Sequence, residues 1–203
     1  MSDILPITED QRDCLQEISN VAMGAAAEAL AAFSKVFVEL SIPKVRYIRP
    51  DGLPEALSSL QGGDLISGVV QEYKIGSLQA YALTMITEPS FQDLSQQTGL
   101  PIGSDEDAIS LLVRLSETIN GICLPRLAEQ FGGVEVEFVG KAKVAALHQS
   151  LSEVTLGEIN QWPHVLTTEI NYHLEGHPFN CDLLLVTPDS SLSQLAPALD
   201  SLL

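Results

Sequence analysis

Glu17 and Asn20 stand one helical turn apart, and Glu117 and Asn120 repeat the pair 100 residues later in a chain of 203. A carboxylate and a carboxamide at this spacing face the same way. The acid only accepts hydrogen bonds, whereas the amide both donates and accepts. A packed core requires neither group. Other reactive arrangements are weaker. His173 and His177 are four apart, but Gly176 and Pro178 place them around a turn, where the helical zinc spacing does not apply. Ser67-Gly68 and Ser116-Glu117 lack a nucleophile-elbow pattern, and no Cys/His/Asp order invites covalent catalysis. Gly62-Gly63-Asp64 is not a phosphate cradle, because no Lys-Ser/Thr follows it into a helix. Cys14, Cys123 and Cys181 never form Cys-x-x-Cys, and they read as reduced, buried small hydrophobes.

The elements that must carry the polar pairs follow from periodicity. Thr8, with Gln11 three residues on, starts a predicted helix that runs to about Phe33. At about 100° per residue, Leu15, Ile18, Ala22, Ala25, Ala29 and Phe33 form a core face. Asp13, Glu17, Asn20, Gly24, Ala27 and Ala31 line the opposite face. Its small residues leave room for something to lie close; the same residues would equally make a solvated, helix-favouring surface. The corresponding face of the second copy reads Val113, Glu117, Asn120, Leu124, Leu127 and Phe131, and Pro125 should kink that helix.

Val36 to Ile48 is β-rich, with Pro43 demoting part of it to an edge or a bend. Strands are predicted at Leu65 to Tyr73 and Leu78 to Thr87, joined by a turn, before Pro89 opens a helix to about Gln97. The second half gives a helix from about Asp105 to Phe131, then strands at Val134 to Leu147, Val165 to His173 and Phe179 to Thr187. A last helix starts at about Asp189, and Trp162 with Pro163 reads as a packing anchor. Leu65 and Val165, Gly76 and Gly176, Leu83 and Leu183, Thr87 and Thr187, and Ser90 and Ser190 keep the same offset, which points to duplication. The expected class is α+β: an internally duplicated, pseudo-twofold domain with long helices packed on an antiparallel or mixed β-sheet. No linker-like segment separates the halves, so 1–203 should form one domain from repeats of about 1–100 and 101–203.

The net charge of -17, from 10 basic and 27 acidic residues, repels nucleic-acid phosphates and anionic membrane surfaces. Hydrophobic residues at 45% can fill a core without staples. The N-terminus lacks the basic and apolar regions of a signal peptide, and no apolar segment reaches membrane-spanning length, so a cytoplasmic location is expected.

Asp13, Glu17, Asn20 and Pro43 match the spacing Asp/Ser-x3-Glu-x2-Asn-x22-Pro, and Glu-Ile-Ser-Asn-Val is followed by a Gly/Ala-rich turn. In these features the chain resembles the CheC/CheX/FliY family of chemotaxis response-regulator phosphatases, and its repeat resembles a CheC-like duplicated member. The second copy keeps Glu117 and Asn120 but has Val113 in place of Asp or Ser and Lys143 in place of Pro. The resemblance implies hydrolysis of the phospho-aspartate of a CheY-like receiver domain in two-component signalling. Asn20, and Asn120 in the second site, would position the attacking water. Glu17, and Glu117, would dock a receiver-domain Lys. Asp13, Gly24 and Ala27 would extend the docking face, and Pro43 would shape the chain beyond the helix. It implies no cofactor in this chain, with Mg2+ held by the partner response regulator, and it admits a CheD-like deamidase as a second partner. The alternative is a non-catalytic module that binds a receiver domain, a CheD-like deamidase or a flagellar-switch protein.

Overall fold

Thr8 accepts a hydrogen bond from the Gln11 backbone at 3.2 Å, and the Gln11 side chain accepts one from the Thr8 backbone at 2.8 Å. This reciprocal cap satisfies two donors left over by the first turn, and it launches α1 (Glu9–Ser34), which Lys35 ends in the left-handed conformation at φ 61°. In this computed structural model, residues 6–57, 60, 65–154 and 156–203 are described; the first five residues and the Gly62-Gly63-Asp64 segment lie outside the described residues.

After α1 the β-rich stretch is split into β1 (Val38–Leu40) and β2 (Lys44–Ile48). Pro43, which has no N–H for a ladder, occupies the break. A short α2 (Leu53–Ala56) precedes the hairpin β3 (Ile66–Ile75) and β4 (Leu78–Thr87), then α3 (Glu88–Thr98). Ser104 caps α4 (Asp105–Gln130), which continues through Pro125. It is followed by β5 (Val136–Gln149), β6 (Val165–Leu174), β7 (Asn180–Pro188) and, after a 3-10 turn at Asp189–Ser191, α5 (Leu192–Asp200).

The strands form one sheet in the order β1-β6-β7-β4-β3-β5, with β2 also on β6, and every pairing is antiparallel. Alternation sorts the side chains. Val69, Tyr73, Ile170, Tyr172 and Leu183 join the core under the helices, while Ile66, Leu83, Met85, Val165 and Leu184 join a second core on the other face, beneath α2 and the 3-10 turn at Gly157–Gln161. Trp162 packs against that second core, 5.2 Å from the Tyr81 ring.

The order of a long helix, a β-rich stretch, a hairpin and a shorter helix occurs in 9–98 and again in 105–200. A uniform offset of 100 does not describe the match. The first hairpin turns through Gly76 and Ser77, whereas in the second Leu174 faces Phe179 across four intervening residues. The two extra residues displace β6 and β7 in opposite directions. Tyr73 therefore corresponds to Tyr172, Ile75 to Leu174 and Leu83 to Leu184, and Leu83 and Leu184 are themselves cross-strand partners at the centre of the sheet. Leu65 is exposed while Val165 is buried, and Leu83 and Leu183 lie on opposite faces, so these sequence pairings are not structural equivalents.

Candidate functional site

α1 packs both on the sheet and along α4, so the arc it buries is broader than a one-sided stripe. Leu15, Ile18, Ala22, Ala26 and Leu30 are buried as apolar spacing requires, and Ser19, Met23 and Ala27 are buried beside them. Ala27 is only 7% exposed, which removes it from the outward face expected of it, and Ala31 packs against the core. Conversely, Ala25 and Ala29 are half-buried and border an open groove of about 520 Å3 with Gly121 and Pro125 of α4. Pro125 has no N–H to give the Gly121 carbonyl; both residues face this groove, where solvent can serve the carbonyl.

Glu17 and Asn20 remain fully outward, on consecutive turns. Asp13, one turn earlier, is exposed and ion-paired with Arg12 at 3.0 Å. Gly24 is half-buried, and a Cβ there would meet nothing within 4 Å, so the surface beyond Asn20 stays open. Gln16, one turn before Asn20, donates its amide to the Pro43 carbonyl at 2.9 Å. That bond fixes the break between β1 and β2 against the helix turn that presents the acid and amide. Pro43 itself is buried, and Ile42 beside it is 79% exposed. Burial, then the nearby Glu17 carboxylate, raises the Cys14 thiol above its ordinary range, so it is a poor nucleophile.

The second pair is arranged differently. Glu117 is exposed but Asn120 is 2% exposed. The Asn120 amide nitrogen donates to Ser116 Oγ at 2.9 Å, Thr84 Oγ1 donates to the same Ser116 oxygen at 3.3 Å, and Asn120 Oδ1 has no partner. The cause lies in how α4 sits. Leu15, Ile18, Ala22 and Met23 of α1 match the buried Leu112, Leu115, Ile119 and Asn120 of α4, a shift of 97. Asn120 thus occupies the core position of Met23, and Asn20 matches Glu117. The residues expected to form a second catalytic pair are brought together in sequence spacing but not in exposure. Val113 lines the cavity beside Asn120, and Lys143 is exposed on β5, which runs on where the first half breaks at Pro43.

Among the described residues no group of three or more His, Cys, Asp or Glu could hold a metal ion. His173 Nδ1 lies 2.9 Å from the Phe179 carbonyl, and His177 Nδ1 lies 2.9 Å from Asp93 Oδ1. Both rings therefore secure the β6–β7 turn. Burial pushes the Cys123 thiol up to about 12 and raises that of Cys181, with Asp182 adding to the latter; all three cysteines are free. No helix among the described residues is long and apolar enough to cross a membrane. Sequence reasoning missed Gln16, whose signal was its place one turn before Asn20 with an amide that had no core role. It also missed Ser116, four residues before Asn120 and within reach of the sheet.

No protein-family model matches the chain. No curated protein matches it significantly. Solved structures do. FliY of Thermotoga maritima superposes with a TM-score of 0.74 at 17% identity, covering 98% of this chain and 100% of that one. The FliM middle domain of H. pylori gives 0.64 at 11% identity over 95% and 99% of the two chains. The chemotaxis protein CheX of Desulfovibrio desulfuricans gives 0.56 at 14% identity over 83% and 97%. With its antiparallel sheet, its two long helices and a match over 83% to 98% of its length to these structures, the chain has the CheC/CheX/FliY-like fold.

Proposed function

We propose that this chain is a single, internally duplicated domain that hydrolyses the aspartyl phosphate of a CheY-like response-regulator receiver domain. The observation that carries this reading is the outward pair Glu17 and Asn20 on one rigid helix, with the Pro43 break tied to the same turn through Gln16. An aspartyl phosphate already has a good leaving group, so the missing element is a positioned water. Asn20 Oδ1 accepts a hydrogen bond from that water and holds its oxygen in line with phosphorus. As the water oxygen bonds to phosphorus, the bond from phosphorus to the aspartyl oxygen breaks. The carboxylate is regenerated, inorganic phosphate leaves, and the water proton passes to a phosphate oxygen or to solvent. Glu17 pairs with a receiver-domain Lys and sets the approach. The Mg2+ that neutralises the phosphoryl oxygens belongs to the receiver domain.

An exposed amide on a helix, not a loop, suits this task, because small displacements of a positioned water cost much of the rate. The first site alone serves in this reading: the buried Asn120 cannot reach a partner's phosphoryl group. Similarity in fold to proteins named as chemotaxis proteins and to FliY supports the setting. The test is to incubate the chain with a phosphorylated receiver domain and Mg2+ and to follow phosphate release. Acceleration over the receiver domain alone supports the reading; none refutes it.

A second reading is a binding module without turnover, directed at a receiver domain, a CheD-like deamidase or a flagellar-switch component. It is favoured by the FliM structures among the neighbours, which include a FliM middle domain and complexes of FliM with FliG and with SpeE. Stable binding of the receiver domain with no change in its dephosphorylation rate would select it.

A further inference from the structure

One margin of the sheet is long and open. β5 has 14 residues and, among the described strands, pairs with β3 alone, so no strand takes the N–H and C=O groups of its outer side. The opposite margin differs: β1 has three residues, and Pro43 separates it from β2. A bare edge as long as β5 is a template for a further strand. Val134, Phe138 and Val144 are large, apolar and exposed along it. Opposite Gln71 on β3, a bulge places Gly140, Lys141 and Ala142 between the paired residues Val139 and Lys143, with Gly140 at a φ of +68°.

The charges on this edge are mirrored. Glu135 and Glu137 precede Val139 by four and two residues, and Lys141 and Lys143 follow it by two and four. All four side chains are exposed, and among the described ion pairs none takes part. Glu137, Val139 and Lys143 stand opposite Lys74, Glu72 and Val70 of β3, so the bulge leaves them on one face of the sheet. The chain as a whole carries -17, but over 134–144 the two acids and two lysines cancel. Lysine on an open edge ordinarily guards it, because an added strand would have to accommodate an unpaired charge. A strand of this same sequence, running antiparallel, instead supplies a glutamate for each lysine.

We infer that two copies of this chain join β5 to β5, antiparallel and about a twofold axis at Val139, into one continuous sheet. In that register Glu135 meets Lys143 and Glu137 meets Lys141 on both sides of the axis, Val134 meets Val144, and Phe138 lies across from Gly140 and covers it. A shift of one residue removes every one of these charge pairs, and a shift of two keeps half of them, so the charges select the register. The inference rests on the β5 edge and is independent of any phosphatase action at Asn20.

Sedimentation equilibrium of the full chain, from about 10 to about 500 μM, should show monomer and dimer in exchange. Lys141→Glu/Lys143→Glu and Glu135→Lys/Glu137→Lys each set like charges opposite one another, and each should weaken dimerisation about tenfold or more. The second of these makes the chain less acidic, so its weaker association cannot come from net charge. The replaced side chains are exposed, and circular dichroism would verify that both variants keep the fold. A one-to-one mixture of the two variants should recover dimers as tight as the wild type, because every glutamate then faces a lysine again. The inference is overturned by a wild type that stays monomeric over the whole range, by undiminished dimerisation in either variant, or by a mixture that associates no more tightly than the variants alone.

Discussion

The side-chain amide of Gln16 donates to the backbone carbonyl of Pro43 at 2.9 Å, across 27 positions of sequence. It joins the helix turn that carries Glu17 and Asn20 to the break between β1 and β2, so the surface around the pair is held from two sides. Gln16→Leu should lower stability by about 0.5–1.5 kcal/mol, the ordinary worth of one such bond. It should reduce turnover of a phosphorylated receiver domain further than that stability loss explains. Urea denaturation and phosphate release on the same preparation would separate the two effects. Wild-type turnover in a folded Gln16→Leu protein would remove the tether from the site.

Glu17 is exposed, so its pairing with a receiver-domain Lys would be formed in solvent and screened by salt. Glu17→Gln should weaken the encounter, and rising ionic strength should weaken the wild type more than the variant. Equal salt slopes for the two proteins would take Glu17 out of docking.

The same replacement at Asn20 and Asn120 tests their different burial. Asn20→Leu changes an exposed side chain and should shift stability by no more than about 0.5 kcal/mol. Asn120→Leu replaces a buried group whose acceptor is unpaired, so the urea midpoint should hold or rise, since removing an orphaned polar group relieves its desolvation cost. A loss of more than about 2 kcal/mol in Asn120→Leu would mean that its bond to Ser116 outweighs the unpaired oxygen.

Alkaline stability follows from the buried thiols. Burial pushes the Cys123 thiol up to about 12 from an ordinary value of 9.0, and it raises Cys181 in the same direction. The unfolded thiols ionise first, so this contribution is intact below pH 9.0 and is lost as pH rises through 9.0 toward about 12. Cys123→Ala should flatten the fall in urea midpoint between about pH 8 and about pH 10.5. An equally steep fall in the variant would assign the alkaline loss to other groups, such as Tyr172, which burial also raises.

Much of the fold was legible because it is written in local signals. The Thr8 cap, the hydrophobic alternation of β3, β4, β6 and β7, and the proline break at Pro43 each depend on near neighbours in sequence. What escaped was long-range. The two extra residues in the β6–β7 turn move Leu184, not Leu183, opposite Leu83, and a side-chain period of two then puts the sequence-matched leucines on opposite faces. Likewise, Glu117 and Asn120 keep the spacing of Glu17 and Asn20, but α4 is seated with Asn120 at the core position of Met23. Spacing within a helix shows which residues share a face. The packing of that helix on its neighbours decides whether the face is outward, and that cannot be read from the helix alone.

The central claim is tested most directly by single-turnover release of phosphate from a phosphorylated receiver domain with Mg2+, comparing the wild type, Asn20→Ala and Glu117→Ala/Asn120→Ala at one substrate concentration. Asn20→Ala should stay folded and lose most of the acceleration, on the order of a hundredfold for a misplaced water. The second-site double variant, once shown to be folded, should lose much less. Full acceleration by a folded Asn20→Ala protein, or greater damage in the folded second-site variant, would contradict hydrolysis at the first site.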